Sequence, residues 1–182
     1  MLTDFVEKTL FSTLQEIEWK QLKDEILNVY EIALIYHYSE SGYENINEIL
    51  IKNNGAVTTE YAQYLTQILL QLPDYQQVVF RGTTLNKTQK QKYLAAFEQN
   101  LIVQEPFFLS ASKSESIADS FSKGDTLFTI FSKTGKQIVK FCKFGLNSGQ
   151  NEKEVLFLPN TNFEVLAVTK HNSKTLIILE EI

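Results

Sequence analysis

The 182 residues are 43% hydrophobic and 21% charged, with seven glycines and three prolines, which excludes a disordered or fibrous chain and fits one globular domain. The net charge of −5 is spread along the sequence and lacks the basic face that phosphate backbones require, so nucleic acid is not the expected partner. One cysteine, Cys142, and two histidines, His37 and His171, exclude an intrachain disulfide and leave no recognisable thiolate metal site or Ser-His-Asp triad.

In chain order, acids at the N-terminus stand where a signal peptide needs basic residues. No apolar run approaches the roughly 18 residues that span a bilayer. A soluble chain is expected, not membrane-bound, monomeric, and exported, if at all, without a classical signal. Residues 1–72 read as helical, with Phe5, Leu10, Phe11 and Leu14, then Ile26, Leu27, Tyr30 and Leu34 at helical spacings. Ser41 with Glu44 forms a capping box for a helix through Ile51. Thr58 or Thr59 caps the next helix, which Pro73 ends.

Residues 73–182 are β-rich. A short apolar run at 77–80 delivers Arg81 and Gly82 to a strand tip, and a helix follows over 86–100. Strands are then expected at 107–111, 127–132, 137–144, 155–158, 163–169 and 175–179, with one short helix around 116–121. Thr134-Gly135 marks a hairpin turn. Cys142 sits in an apolar stretch and reads as buried packing. Lys133, Lys136, Lys140 and Lys143 read as solvated strand edges that discourage pairing, with a local basic patch as the alternative. Helices first and strands afterwards define an α+β class with an antiparallel or mixed sheet system. No GxGxxG or GxxxxGK[ST] cradles a phosphate.

Three short segments carry chemistry: Val78-Val-Phe-Arg81-Gly82, Phe107-Phe-Leu-Ser110-Ala111-Ser112, and Asn151-Glu152-Lys153-Glu154-Val-Leu-Phe157. On extended backbone, residues i and i+2 share a face about 6–7 Å apart. Ser110 and Ser112 therefore converge on one pocket, as do Glu152 and Glu154, with Lys153 directed away. Two carboxylates so close favour a site that handles positive charge. The loop 145–151 just before them is the most turn-like stretch of the chain.

Arg-Gly at a strand end, a Ser-x-Ser strand and Glu-x-Glu before an apolar strand resemble the R-S-E class of mono-ADP-ribosyltransferases, in that family's order. The segment from Tyr36 to Asn47 is similar to the family's helical Tyr/Ile-Asn region. Ser112 followed by Ala118 and Phe121 resembles the run from its serine strand into a helix. One departure is Ala111, where the family usually carries threonine.

The resemblance implies a two-sheet, split β-sandwich core behind the helices, in a single domain over 1–182. It implies NAD as co-substrate, no metal, and transfer of ADP-ribose to a protein acceptor, arginine by preference, in a bacterial effector, toxin or phage modifier. Glu154 is then the carboxylate that offsets charge on the ribose, and Glu152 positions the acceptor. Arg81 pairs with the diphosphate or supports the ribose, Gly82 admits the ligand to the backbone, Ser110 orients Glu154, and Ser112 is a ligand or support. Phe121 either stacks on nicotinamide or belongs to the core. The loop 144–151 meets the acceptor. Alternatives on the same scaffold are an NAD glycohydrolase and a nucleic-acid ADP-ribosyltransferase; a non-catalytic binding module is the alternative of another class.

Overall fold

A computed structural model describes residues 1–146 and 148–182 of the chain; Asn147, part of the turn-like loop singled out above, lies outside the described residues. The helical half comprises α1 (Leu2–Thr9), α2 (Phe11–Trp19), α3 (Val29–His37), α4 (Tyr43–Lys52) and α5 (Glu60–Gln71). Asn28 caps α3 by accepting from the amides of Tyr30 and Glu31, while its own amide donates to the Glu31 carboxylate. Thr59 rather than Thr58 caps α5, through the amide of Ala62 at 3.2 Å. Leu72, preceding Pro73, is already extended, as crowding by a proline ring demands.

The expected capping box at Ser41 does not form. Residues Tyr38–Gly42 make a π-helical turn that runs straight from α3 into α4, so Ser41 lies inside a continuous helix with no free amides to cap. Such π turns displace side chains from the regular helical stripe. Within this turn Tyr38 and Ser39 are buried, Tyr38 donating to the Phe108 carbonyl and Ser39 accepting from the Lys143 amide.

The β-rich half follows as β1 (Val78–Thr83), α6 (Lys87–Gln99), β2 (Ile102–Glu105), β3 (Leu109–Ser112), α7 (Glu115–Ser122), β4 (Thr126–Phe131), β5 (Lys136–Gln137), β6 (Glu154–Phe157), β7 (Thr161–His171) and β8 (Lys174–Glu181). The strands form one eight-stranded sheet in the order β2-β7-β8-β4-β1-β3-β6-β5, not the two sheets expected. The physical reason is a narrow bridge. β1 pairs with β4 along all of Val78–Thr83, but with β3 only through Phe80 opposite Ser112. The strands β2-β7-β8-β4-β1 and β3-β6-β5 are thereby hydrogen-bonded into one sheet.

One further expectation fails, and one strand was not expected at all. The strand expected over 137–144 stops after Gln137, because the amide of Phe141 bonds back to the Ile138 carbonyl at 2.8 Å. Ile138, Phe141 and Cys142 are buried together against the helices, a spacing that a turn satisfies and a flat strand does not. The strand β2 escaped the sequence reading, although Val103 packs in the core opposite Phe163.

The four lysines are not idle edges. Lys136 is buried and donates to the Leu72 carbonyl at 2.9 Å and to Asp74 at 2.5 Å. Lys133 pairs with Glu180, Lys140 with Asp24, and Lys143 with Glu16 and Glu40.

Two apolar cores sandwich the site strands. One lies among α1–α5 and receives Phe108, Ile138, Phe141, Cys142 and Leu156 from the sheet side. The other lies between the sheet and α6, and holds Val79, Leu109, Ala111, Val155 and Phe157. Alternation along β3 and β6 assigns odd residues to the second core. Ala111 sits there opposite Val155, which explains why a residue without a hydroxyl is accommodated.

Candidate active site

The neighbouring strands β1, β3 and β6 bring the three chemical segments together. β3 and β6 run antiparallel, with Ser112 opposite Glu154 and Ser110 opposite Leu156. Ser110 and Glu154 are therefore diagonal partners on one face, close enough for polar contact. The Ser110 hydroxyl donates to Glu154 Oε1 at 2.7 Å. From β1, Arg81 Nη1 donates to the Ser110 carbonyl at 2.6 Å, and its guanidinium lies 6.0 Å from the centre of the Phe107 ring. Arginine, serine and glutamate thus form one connected set.

A cavity of about 560 Å³ opens over this set, and its wall includes Arg81, Gly82, Ser110, Ser112, Phe121, Glu152 and Glu154. That volume is in the range of small-molecule sites. Every candidate residue of the sequence reading lines it. Phe121 is exposed, so the core alternative for its ring is ruled out by its position.

Gly82 meets a packing need besides lining the cavity. A Cβ there falls 1.8 Å from the Ala118 carbonyl oxygen and 2.7 Å from the Ser122 amide. The missing side chain lets α7 press against β1, which in turn brings Phe121 to the cavity.

The segment carrying the two glutamates is not extended throughout. Lys153 adopts φ +51°, and its amide bonds to Asn151 Oδ1 at 2.9 Å in a local turn. Only Glu154 belongs to β6. Glu152 reaches the same cavity through that turn rather than through strand alternation, and the i, i+2 geometry assumed from sequence does not apply. Backbone bonds pin the turn from both sides. The Glu152 amide donates to the Phe144 carbonyl at 2.9 Å, the Lys113 amide to Lys153 at 3.1 Å, and the Ile138 amide to Glu154 at 3.1 Å. Ser112 adds a fourth tie, its hydroxyl donating to the Glu152 carbonyl at 2.6 Å while accepting from the Ser114 amide at 3.1 Å.

The electrostatics of the pair differ. Burial pushes the Glu154 carboxyl up to about 7, opposed by the Ser110 hydrogen bond, with Glu152 raising it further and Arg81 lowering it. Glu154 is only 5% exposed. Burial also raises Glu152 above the usual carboxylate range. Desolvation lowers Arg81 from its ordinary value, yet a guanidinium remains protonated throughout the working pH range. The site can therefore switch one carboxylate near neutrality beside a permanent cation.

The opposite wall comes from the π turn and α4, which the sequence reading marked only as a segment. Asn47 holds the Phe108 peptide at both ends, accepting its amide at 3.1 Å and donating to its carbonyl at 3.1 Å. Tyr38 donates to the same carbonyl at 3.2 Å. Glu40, Tyr43 and Phe144 also line the cavity. Tyr43 and Asn47, four residues apart, share one helical stripe and were the available signal; Tyr38, five residues before Tyr43, joins them only through the π turn, which α-helical spacing does not signal.

Comparison with known proteins agrees with this geometry. Residues 31–182 match the family model for NAD:arginine ADP-ribosyltransferases, and the chain belongs to that family. It is 32% identical over 159 residues to the NAD(+)--protein-arginine ADP-ribosyltransferase Tre1 of Serratia proteamaculans, covering 84% of this chain and 32% of Tre1. It is 27% identical to Vis of Vibrio splendidus, a putative NAD(+)--arginine ADP-ribosyltransferase, over 84% of this chain and 64% of Vis. The chain thus spans about a third of Tre1 and somewhat under two thirds of Vis. Among solved structures, exoenzyme S of Pseudomonas aeruginosa, in complex with human 14-3-3 protein beta and carba-NAD, has a TM-score of 0.77 at 21% identity, covering 99% of this chain and 86% of that one. Vis in complex with agmatine gives 0.67 at 22% identity, covering 94% and 85%. These likenesses establish the ADP-ribosyltransferase fold.

Among the described residues, no group of three or more His, Cys, Asp and Glu side chains is arranged to hold a metal ion, and no helix is long and apolar enough to cross a membrane.

Proposed function

We propose that the chain cleaves NAD between nicotinamide and ribose and transfers the ADP-ribosyl group to an arginine side chain of a protein. The observation that carries this reading is the Ser110–Glu154 hydrogen bond at 2.7 Å, standing between the Arg81 guanidinium and Glu152 in one cavity. Family membership and the arginine-directed names of Tre1 and Vis support it. Those names and the effector and toxin titles of structural neighbours also support a bacterial effector or toxin setting.

The C–N glycosidic bond breaks with its electron pair leaving on nicotinamide, so positive charge develops on the ribose ring. Ionised Glu154 faces that charge, and Ser110 keeps the carboxylate in one orientation. A carboxylate at about 4 Å with an effective dielectric near 20 contributes on the order of 4 kcal/mol, or roughly a thousandfold in rate if realised only in the transition state. Arg81 supplies a fixed cation for the diphosphate of NAD, and the exposed Phe121 ring can stack on nicotinamide. Glu152 receives the acceptor guanidinium in a charge-assisted pair. A guanidinium nitrogen then bonds to the anomeric carbon and loses a proton, which Glu152 is placed to draw off.

Incubating the purified protein with labelled NAD and agmatine tests the reading. Release of nicotinamide with label on agmatine is expected. Release with free ADP-ribose alone makes the chain a glycohydrolase, and no release leaves it a binding module. Nuclease and protease digestion of labelled lysate distinguishes a protein acceptor from a nucleic acid.

A further inference from the structure

Lys143 lies outside the catalytic cavity but joins it to the helical half. Its ammonium is 3.0 and 3.2 Å from the two oxygens of Glu16 on α2, 2.8 Å from Glu40 Oε1 in the π turn, and 5.2 Å above the Tyr36 ring of α3. Its amide donates to Ser39 Oγ at 2.8 Å. Glu16 is fixed in its turn by Lys20 at 2.7 Å and by the Tyr36 hydroxyl at 2.7 Å. Ion pairs this accessible are individually weak contributors to stability. Their value here is geometric, because several elements converge on one cation.

The next residue completes the connection. Phe144 lines the cavity, and its carbonyl accepts the amide of Glu152. Contacts therefore run from α2 and the π turn through Lys143 and Phe144 to Glu152. Glu154 is fixed separately by Ser110 and by the β3 pairing. Lys143 also neutralises Glu40, a third carboxylate on the cavity wall that otherwise competes with Glu152 for a cationic acceptor.

We propose that Lys143 is a positioning residue that sets Glu152 for acceptor attack and so favours transfer over hydrolysis; this rests on the reading of Glu152 as the acceptor-presenting carboxylate. Transfer to agmatine and NAD hydrolysis are measured separately for Lys143→Met, Lys143→Arg, Glu16→Gln and Glu152→Gln, with thermal melts on each. Lys143→Met is expected to lower transfer about tenfold with hydrolysis within about twofold, Lys143→Arg to recover most of the loss, and Glu16→Gln to shift the ratio less in the same direction. Equal loss of both activities in Lys143→Met, or no loss of transfer, overturns the proposal. If Lys143→Met does not fold, the ratio in Glu16→Gln decides alone. Selective loss in Glu152→Gln with an unchanged ratio in the lysine variants sinks only the positioning role. A Glu152→Gln protein that still transfers normally sinks the reading beneath it.

A second inference comes from composition. Of the 17 lysine and arginine residues, only Arg81 is arginine, and it lies inside the cavity bonded to the Ser110 carbonyl. Arginine forms ion pairs at least as well as lysine, yet among the described residues every salt bridge that involves a basic side chain uses lysine. We infer that this chain presents no exposed arginine acceptor and does not modify itself. This too rests on arginine as the acceptor. Intact mass spectrometry after incubation with NAD should find the chain unmodified while agmatine is modified. Introducing Lys123→Arg, or Lys8→Arg on α1, at exposed positions should produce an ADP-ribosylated chain. Label on the unaltered protein, or unlabelled variants beside labelled agmatine, overturns the inference. Unmodified agmatine throughout removes the arginine reading itself.

Discussion

Glu154 and Glu152 are two residues apart and line one cavity, but the fold holds them by different means. Glu154 belongs to β6, is buried, and has its side chain fixed by Ser110 from the adjacent strand. Glu152 sits on a turn bent by a left-handed Lys153, and the contacts that fix it act on its backbone. A rigid carboxylate suits a reaction whose geometry is set by NAD itself. A carboxylate with a held peptide and a freer side chain suits an acceptor that arrives from outside. The placement of the pair predicts that the two activities separate under mutation.

The largest separation is expected at the rigid member. Glu154→Gln removes the charge proposed to oppose the developing cation, so nicotinamide release should fall at least about a hundredfold with the fold retained. The same variant has a signature in stability. A folded-state value raised from 4.5 to about 7 means the native protein holds a proton that the unfolded chain has already lost. Stability therefore falls as pH rises from about 4.5 to 7. At about 1.4 kcal/mol per unit the shift amounts to roughly 3 kcal/mol at most. Glu154→Gln should flatten this dependence and melt higher than the parent at pH 8. Parent and variant with parallel melting profiles between pH 5 and pH 8 would falsify the buried-carboxylate account.

A smaller and more selective effect is expected at Glu152. Glu152→Gln keeps the backbone ties and removes the charge proposed to receive a guanidinium. Transfer to agmatine should fall about thirtyfold while NAD hydrolysis stays within about threefold. High-performance chromatography of both products from one reaction checks this. Parallel loss of the two activities would erase the division between the residues.

Much of the rigid member's surroundings was legible in the sequence, because local patterns determine it. Apolar runs end at Arg81 and begin after Glu154, and alternation separates Ser110 from Ala111. The freer member's surroundings were not legible in the same way. The turn at Lys153 depends on an Asn151 side-chain bond, and the reversal after Gln137 depends on Ile138, Phe141 and Cys142 meeting the helices. The cavity's far wall depends on Asn47 bonding Phe108 across 61 residues of sequence. The lysine network around Glu16 has no local signature, since its partners are 127 residues apart. Contacts at that separation are fixed by the assembled fold.

The smallest of these effects on activity, at Ser110, probes what rigidity contributes. Ser110→Ala removes a hydrogen bond that favours the ionised form of Glu154. The pH profile of nicotinamide release should rise with ionisation of Glu154, with its midpoint near 7 in the parent protein. In Ser110→Ala that midpoint should move alkaline. At pH 7 the rate should drop about tenfold, partly through fewer ionised molecules and partly through a less ordered carboxylate. Raising the pH restores only the first part. Full recovery at high pH would mean that Ser110 acts through ionisation alone, whereas an unmoved midpoint with a uniform loss would mean that it acts only by orientation. A shifted midpoint with partial recovery is the expected result, because the same 2.7 Å contact stabilises the charge and fixes its direction.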